Sequence, residues 1–367
     1  MKILYGVQAT GQGHISRARA MAEALQHHNV EVTWLFSGRS ADRLFDMEPF
    51  GDFEHRRGLT FATQAGRIRY VDTVISNNIF QFLRDIRRLD LTPFDLVVTD
   101  YEPVTAWACK LAGRQCIGIG HQYAFGNNTP QAGGDWLSRT IMRNFAPVTM
   151  PLGLHWHPYA TNVLPPILDL PELPRDQQAN HILVYLPFED QAQVTAFLQQ
   201  FPDHSFIQYA NGLEHAIVGN VQRHPTSIER FKSHLAASQA VVCNSGFELI
   251  SECIQWRKPV LTKPLAGQME QLSNALALEQ LRYAAVMHTL DEPTMRQWLA
   301  KPGMRQSTHF GDVAAALAQW LAGGCQASID SLAHSLWYAS LVSDQSPGGT
   351  VASRSSIPDP ETEPASA

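Results

Sequence analysis

Apolar and polar positions follow two rhythms along this chain. Short runs rich in Val, Ile, Leu and Phe recur at 3–7, 31–37, 95–99 and 116–120. Between them lie stretches with apolar residues every three to four positions, at 16–28, 79–89 and 103–111. Continuous apolar runs mark strands buried on both faces, and the longer period marks helices that bury one side. Their alternation predicts βαβ units and a parallel sheet. Prolines then thicken at 147, 151, 158, 165, 166, 171 and 174, which marks extended connections and a linker over 166–180. Beyond it the rhythm restarts. Strands are expected at 181–186, 205–209, 240–243, 259–262 and 284–287, and helices at 191–200, 228–237, 248–255, 269–281, 295–300 and 313–321. The stretch 343–367 is rich in Ser, Pro, Gly and Thr and reads as a disordered tail. The pattern predicts an α/β chain of two successive doubly wound, Rossmann-like domains, 1–165 and 181–325. Their ligand site is expected in the cleft between them, at the carboxyl ends of the strands.

Composition removes several classes. With 367 residues, 44% hydrophobic and 17% charged, the chain is long enough for two cores and too apolar to be largely disordered. No uncharged apolar run reaches 18 residues, so no spanning helix is expected. Met1 to Gly6 lack the apolar region and small-residue cleavage site of a signal peptide. The five cysteines, at 109, 116, 243, 253 and 325, form neither a CxxC pair nor an even set. Reduced thiols and a cytoplasmic location follow as the expectation. Residues 1–150 carry 16 basic and 14 acidic side chains (+2), and the remainder 12 and 20 (−8). A mildly basic first half suits an anionic substrate or membrane surface and is too weak for nucleic acid.

Candidate chemistry begins after the first strand, at Ala9-Thr10-Gly11-Gln12-Gly13-His14. Glycines allow close backbone approach, and the helix that follows offers free N–H groups and partial positive charge. A dinucleotide fingerprint fails here, because Ser16 stands where its third glycine belongs and Ser37-Gly38 where its acid belongs. A lone histidine is most often structural, but His14 in a glycine loop at a strand's carboxyl end is a candidate general base. Asp100, at the end of the 95–99 strand, either caps the helix that follows or orients His14. His121, Gln122 and Tyr123 end the next strand, as an acceptor-site wall or as satisfied loop side chains. In the second half, Asn244-Ser245-Gly246 feeds a strand into a helix start suited to phosphate. Glu252, two turns on, is placed to reach a ribose, and Glu270-Gln271 to bind sugar hydroxyls.

The stretch from Cys243 to Glu252, then Lys258 to Pro264, then Gly267 to Ala275, resembles the donor-binding signature of GT-B glycosyltransferases. The resemblance is to the UDP-glucuronosyltransferase-like group and to the lipid II N-acetylglucosaminyltransferase family, family 28. It implies two Rossmann-like domains facing a central cleft and an inverting transfer from a nucleoside-diphosphate sugar, a UDP-sugar, to a hydroxyl acceptor. Ser245 and Gly246 match the diphosphate turn, Glu252 the ribose acid, and Glu270, Gln271, Asn274 and Ala275 the closing motif. Gly11-Gln12-Gly13-His14 resembles the turn carrying the base, so Gly11, Gly13, His121 and Gln122 are assigned to the acceptor and His14 with Asp100 to catalysis. Asn244 stands where a histidine is common, Leu249 where a Thr or Ser is common, and Leu186-Pro187-Phe188-Glu189 lacks a glycine loop. These departures keep a non-catalytic nucleotide-sugar-binding regulator as an alternative. A UDP-sugar 2-epimerase of the same fold is a third reading, and it needs a second acid that the sequence does not place near His14. No Asp-x-Asp occurs, so no metal and no cofactor beyond the sugar nucleotide are expected. Residues 79–89 form an amphipathic stretch with three arginines, which is core packing or a peripheral contact with the cytoplasmic face of the inner membrane and a lipid-linked acceptor. Arg56, Arg57, Arg67 and Arg69 are candidates to meet an anionic acceptor.

Overall fold

The computed structural model describes residues 1–343 apart from 45, 60–62, 65–66, 69–77, 127, 135, 171–178 and 304–307. The expected tail, apart from Ser343, and most of the 166–180 linker lie outside the described residues, as does Arg69.

The first sheet is built from β1 (Lys2–Gln8), β2 (Glu31–Ser37), β3 (Glu54–His55), β6 (Leu96–Asp100), β7 (Ile117–Gly120), β8 (Met150–Leu154) and β9 (Val163–Leu164); β4 (Thr63–Gln64) and β5 (Arg67–Ile68) form a separate hairpin. Its order is β3-β2-β1-β6-β7-β8-β9, parallel throughout. The helices α1 (Gln12–Gln26), α2 (Ile79–Arg88), α3 (Pro103–Ala112) and α4 (Trp136–Asn144) connect the strands. α3 is fixed at both ends. Pro103 opens it, Glu102 accepts from Val104 N (2.8 Å) and Thr105 N (2.6 Å), and Gly113 leaves it in the left-handed region.

The second sheet runs β12-β13-β11-β10-β14-β15-β16, with β10 (Ile182–Tyr185), β11 (Phe206–Tyr209), β12 (Ala216–Val218), β13 (Val221–His224), β14 (Ala240–Asn244), β15 (Val260–Lys263) and β16 (Ala285–Val286). Only the β12–β13 hairpin is antiparallel. Helices α5 (Gln191–Leu198), α6 (Ile228–Ala237), α7 (Phe247–Gln255), α8 (Met269–Leu281) and α9 (Glu292–Ala300) cover it. The chain then returns. α10 (Val313–Ala322) packs against α1, and α11 (Ile329–Ser343) lies beside β9, where Trp337 Nε1 donates to Val163 O at 2.7 Å. One apolar cluster therefore runs from Ile15 and Ala18 of α1 through Leu317 and Leu321 of α10, and on into Phe247 and Ile250 of α7. The helical period at 313–321 announced α10 but not its destination, because a stripe of Ala and Leu fits either sheet.

The expected strands and helices of both halves are present, with ends displaced by a few residues. Periodicity left out β3, β4, β5, β8, β9, α4 and the β12–β13 hairpin, which are short, Pro-broken or polar, and also α11, which lies beyond the expected second domain.

Candidate active site

Register places the first half of the site. β1 pairs with β6 so that Val7 lies opposite Asp100, which sets the glycine turn after β1 beside the end of β6. The turn's His14 presents Nδ1 to Asp100 Oδ1 at 2.8 Å. Arg17, one helical turn further on, donates from Nε to Asp100 Oδ2 (3.0 Å) and from Nη2 to Oδ1 (2.8 Å). Residues three apart on a helix share a face, so His14 and Arg17 reach one carboxylate together. Arg17 Nη2 also lies 2.9 Å from His14 Nδ1. With Oδ1 accepting, Nδ1 carries the proton and Nε2 is left with its lone pair. Burial disfavours the Asp100 charge, but Arg17 and His14 outweigh it and hold the carboxyl below its ordinary range. The following Tyr101 takes φ +54°, a rare conformation for a side chain of this size, and its hydroxyl is tied to Met142 O at 2.6 Å. That kink turns both Asp100 and Glu102 inward, where they are 1% and 0% exposed.

Gly11 and Gly13 differ. A Cβ at Gly11 would meet nothing within 4 Å, whereas one at Gly13 would stand 2.7 Å from Glu248 Cγ, across the cleft. Glu248, in the first turn of α7, accepts a hydrogen bond from Arg17 Nη1. Burial pushes its carboxyl up to about 8 against the lowering influence of Arg17. Sequence reasoning missed both residues. The three-residue spacing of His14 and Arg17 was available as a signal; nothing local signals Glu248.

The second half gathers at the ends of β14 and β15. Ser245 Oγ pairs with Thr262 Oγ1 (2.8 Å) and is buried, so its hydroxyl supports the turn rather than facing the cleft. Gly246 has open space beside it. Asn244 Nδ2 donates to Lys263 O (2.9 Å), while its Oδ1 is buried without a partner among the described residues. Glu252 pairs with Lys232 Nζ, which also donates to Asp169 O at 2.8 Å. Burial raises the Glu252 carboxyl, with Lys232 opposing. Asp169 in turn accepts from Ser16 Oγ (3.1 Å), two residues beyond the candidate base.

Glu270 and Gln271, expected to bind sugar hydroxyls, face different partners. Adjacent helix positions point apart. Gln271 Oε1 accepts from Leu265 N (2.9 Å) and shapes its own loop, while Glu270 Oε2 accepts from Gln122 Nε2 at 3.2 Å. His121 is fully buried, with both ring nitrogens engaged, which agrees with the alternative of a satisfied loop side chain. Its Nδ1 lies 2.8 Å from Leu154 O and its Nε2 2.7 Å from Asn274 Oδ1. Asn274 Nδ2 donates to Ser245 O (3.0 Å), so the closing motif joins the two halves. Arg56 donates to Glu54 (2.6 Å), and the Arg67 side chain lies outside the described residues. No group of three His, Cys, Asp or Glu side chains suited to a metal occurs among the described residues.

Two Rossmann-like domains meeting across a cleft lined by strand ends, with a His–Asp pair on one wall and a strand–turn–helix on the other, define a GT-B glycosyltransferase. The family model described as glycosyl transferase family 1 matches residues 1–302, and the chain belongs to that family. Among solved structures it is similar to the calicheamicin glycosyltransferase CalG4, at 14% identity over 95% of this chain and 99% of that one, with a TM-score of 0.54. The spinosyn rhamnosyltransferase SpnG is 12% identical over 92% and 100%, with a TM-score of 0.54. The MurG of Acinetobacter baumannii is 13% identical over 92% and 99%, with a TM-score of 0.51. No curated protein matches the sequence.

Proposed function

We propose that the protein transfers a sugar, with inversion and without a metal, from a nucleoside-diphosphate donor, a UDP-sugar, to a hydroxyl acceptor. The observation that carries this reading is the 2.8 Å contact of His14 Nδ1 with Asp100 at the mouth of the glycine turn. It leaves Nε2 to take the acceptor's proton as the hydroxyl oxygen bonds to the anomeric carbon. The bond from that carbon to the diphosphate breaks on the opposite face, and its electron pair leaves with the phosphate. The start of α7 at Gly246 offers N–H groups to that departing anion. Asn244 Oδ1 and Glu252 supply polar atoms along the same wall.

The proposal includes a cytoplasmic location with peripheral contact at the inner membrane. All five cysteines are free thiols. No helix among the described residues is long and apolar enough to cross a membrane. α2 exposes Ile79, Phe80 (86%) and Leu83 beside Arg84, Arg87 and Arg88, and α4 exposes Trp136 (76%) beside Arg139 and Arg143. Apolar side chains ringed by arginines suit an anionic bilayer and a lipid-linked acceptor. Co-sedimentation with anionic but not neutral vesicles is the expected result, and binding to neither removes this contact.

The test of the central reading is thermal stability with UDP, dTDP, GDP and NAD, followed by donor turnover. A ligand at ~100 times its dissociation constant adds ~2.7 kcal/mol to the folded state. Stabilisation by UDP, transfer from a UDP-sugar, and loss of transfer in His14→Ala are expected. Full activity in His14→Ala overturns the base assignment, and binding without turnover identifies a regulator. A second reading, 2-epimerisation of a UDP-sugar, draws on Glu248, the second acid near the His14 turn that the sequence did not reveal. Inversion at C2 of the donor without any acceptor would identify it.

A further inference from the structure

The chain passes from β6 into α3 within two residues, and it turns at Tyr101. Arg257 and Arg282 also take positive φ, but they leave the ends of α7 and α8, where the left-handed conformation is ordinary. Tyr101 instead follows a strand and carries a large ring, so its φ of +54° persists only because surrounding contacts impose it. Three contacts do so. Thr99 Oγ1 closes the turn, accepting from Glu102 N (2.8 Å) and donating to Glu102 O (3.0 Å). The Tyr101 ring stacks on Phe145 (centroids 5.1 Å apart, 27° between planes) and meets Tyr123 edge-on (5.7 Å, 76°). Its hydroxyl donates to Met142 O at 2.6 Å; burial, with the Glu270 charge, raises the phenol well above its ordinary value, so it remains a donor.

The seat of this ring is supplied from elsewhere in the chain. Met142 belongs to α4, and Phe145 directly follows it. Trp107 of α3 donates from Nε1 to Phe145 O (3.2 Å), and Tyr123 donates from its hydroxyl to Ala146 O (3.0 Å), so the seat is itself pinned on two sides. Beside the ring, a Cβ at Gly120 would stand 3.1 Å from Asp100 Oδ1, so the Asp100 carboxylate has little room to swing toward β7. Arg17 and His14 hold the carboxylate oxygens. The direction from which that carboxylate is presented comes from the backbone, and Tyr101 shares a peptide plane with Asp100.

We propose that Tyr101 is a positioning residue for the candidate catalytic pair: its ring and hydroxyl, seated on the segment that ends α4, fix the backbone that aims Asp100 at His14. This rests on the reading of His14 as the base and Asp100 as the acid that orients it. Tyr101 touches no reacting atom and acts through Asp100.

The test compares Tyr101→Leu, which removes the stack and the hydroxyl, with Tyr101→Phe, which keeps the ring. Misplacing a catalytic group is costly, so Tyr101→Leu is expected to lower kcat about 100-fold while donor KM stays within about threefold. Tyr101→Phe should keep kcat within about fivefold of wild type. In an Asp100→Asn background Tyr101→Leu should cost less than about threefold more, because the group it aims is already disabled. A merely structural role lowers kcat alike in both backgrounds and overturns the proposal. The second readout needs no substrate. The Nδ1 proton that His14 gives to Asp100 is the imidazole NMR signal lost in both His14→Ala and Asp100→Asn. Tyr101→Leu should lose or displace it, and Tyr101→Phe should retain it. Phe145→Leu leaves residue 101 untouched and should displace it too, which keeps the test alive if Tyr101→Leu does not fold. An unchanged signal in the folded variants overturns the positioning role, and transfer by those variants then leaves the transferase reading standing. If no UDP-sugar supports transfer but the signal responds as expected, the positioning role stands and the transferase reading falls. A wild type without such a signal removes the contact and the proposal with it.

Discussion

The imidazole of His121 lies flat on the ring of Phe247, with centroids 4.0 Å apart and planes within 8°. His121 directly follows β7 in the first domain and Phe247 opens α7 in the second, so this stack joins the two strand edges behind the cleft. Trp156 lies 5.0 Å from the same Phe247 ring and donates from Nε1 to Ser251 Oγ at 2.8 Å. The start of α7, proposed above to face the departing diphosphate, is therefore positioned by the first domain as well as by its own strand.

Phe247→Ala should be among the most damaging single changes. It empties a buried site between domains, at a cost of ~3–5 kcal/mol, whereas Phe247→Leu keeps much of the volume. Thermal melts of both variants check this. A drop for Phe247→Ala no larger than for Phe247→Leu would mean the stack does not support the domain contact.

Asp100→Asn should keep the fold and lose catalysis. The amide cannot accept from both nitrogens of Arg17 and from His14, nor stabilise an imidazolium, so turnover is expected to fall ~10²–10⁴-fold with little change in donor KM. Steady-state kinetics across pH decide it. A rise in KM alone would place Asp100 in binding.

Acid should destabilise the protein through its buried histidines before Asp100 titrates, against a smaller opposing contribution from Glu248, whose raised carboxyl takes up its proton already near 8. Burial is the first cause that holds the pKa values of His155, His181, His224 and His234 down, with His224 at about 4. Each is neutral when folded and near 6.5 when unfolded. The stability they confer is complete above pH 6.5 and is lost as pH falls from there toward the folded values. Asp100, whose pKa is lowered, adds its own loss only below the ordinary carboxylate range. Melting temperature should therefore decline steadily from pH 7 to pH 5, and a flat profile over that window would contradict the neutral histidines.

Two glycines should behave oppositely. A Cβ at Gly153 would stand 2.5 Å from Ala124 Cα and 2.7 Å from Ala124 N, backbone that cannot swing aside. Gly153→Ala is expected to cost ~1–3 kcal/mol or more. Gly11→Ala meets nothing, and Gly11 has an ordinary φ of −116°, so its melting temperature should be unchanged. A loss of activity in Gly11→Ala would then report on ligand approach alone.

Much of this molecule was legible in local pattern. The alternation of apolar runs with helical periods dictated two parallel sheets, because neighbours along the chain decide which faces are buried. The glycine turn, His14 and the strand-end Asp100 stood out for the same reason: backbone chemistry at a strand's carboxyl end is a local property. The resemblance to GT-B transferases rested on motifs of this kind. What the sequence did not determine is who meets whom. Arg17 reaches Asp100 across 83 residues and Glu248 across 231. Glu252 is answered by Lys232, His121 is sealed under Phe247, and α10 leaves the second sheet for α1. Each outcome depends on strand order and on how one domain faces the other. Charge and hydrophobicity constrain such pairings only weakly, because many partners satisfy them equally, and the tertiary structure chooses among these by packing.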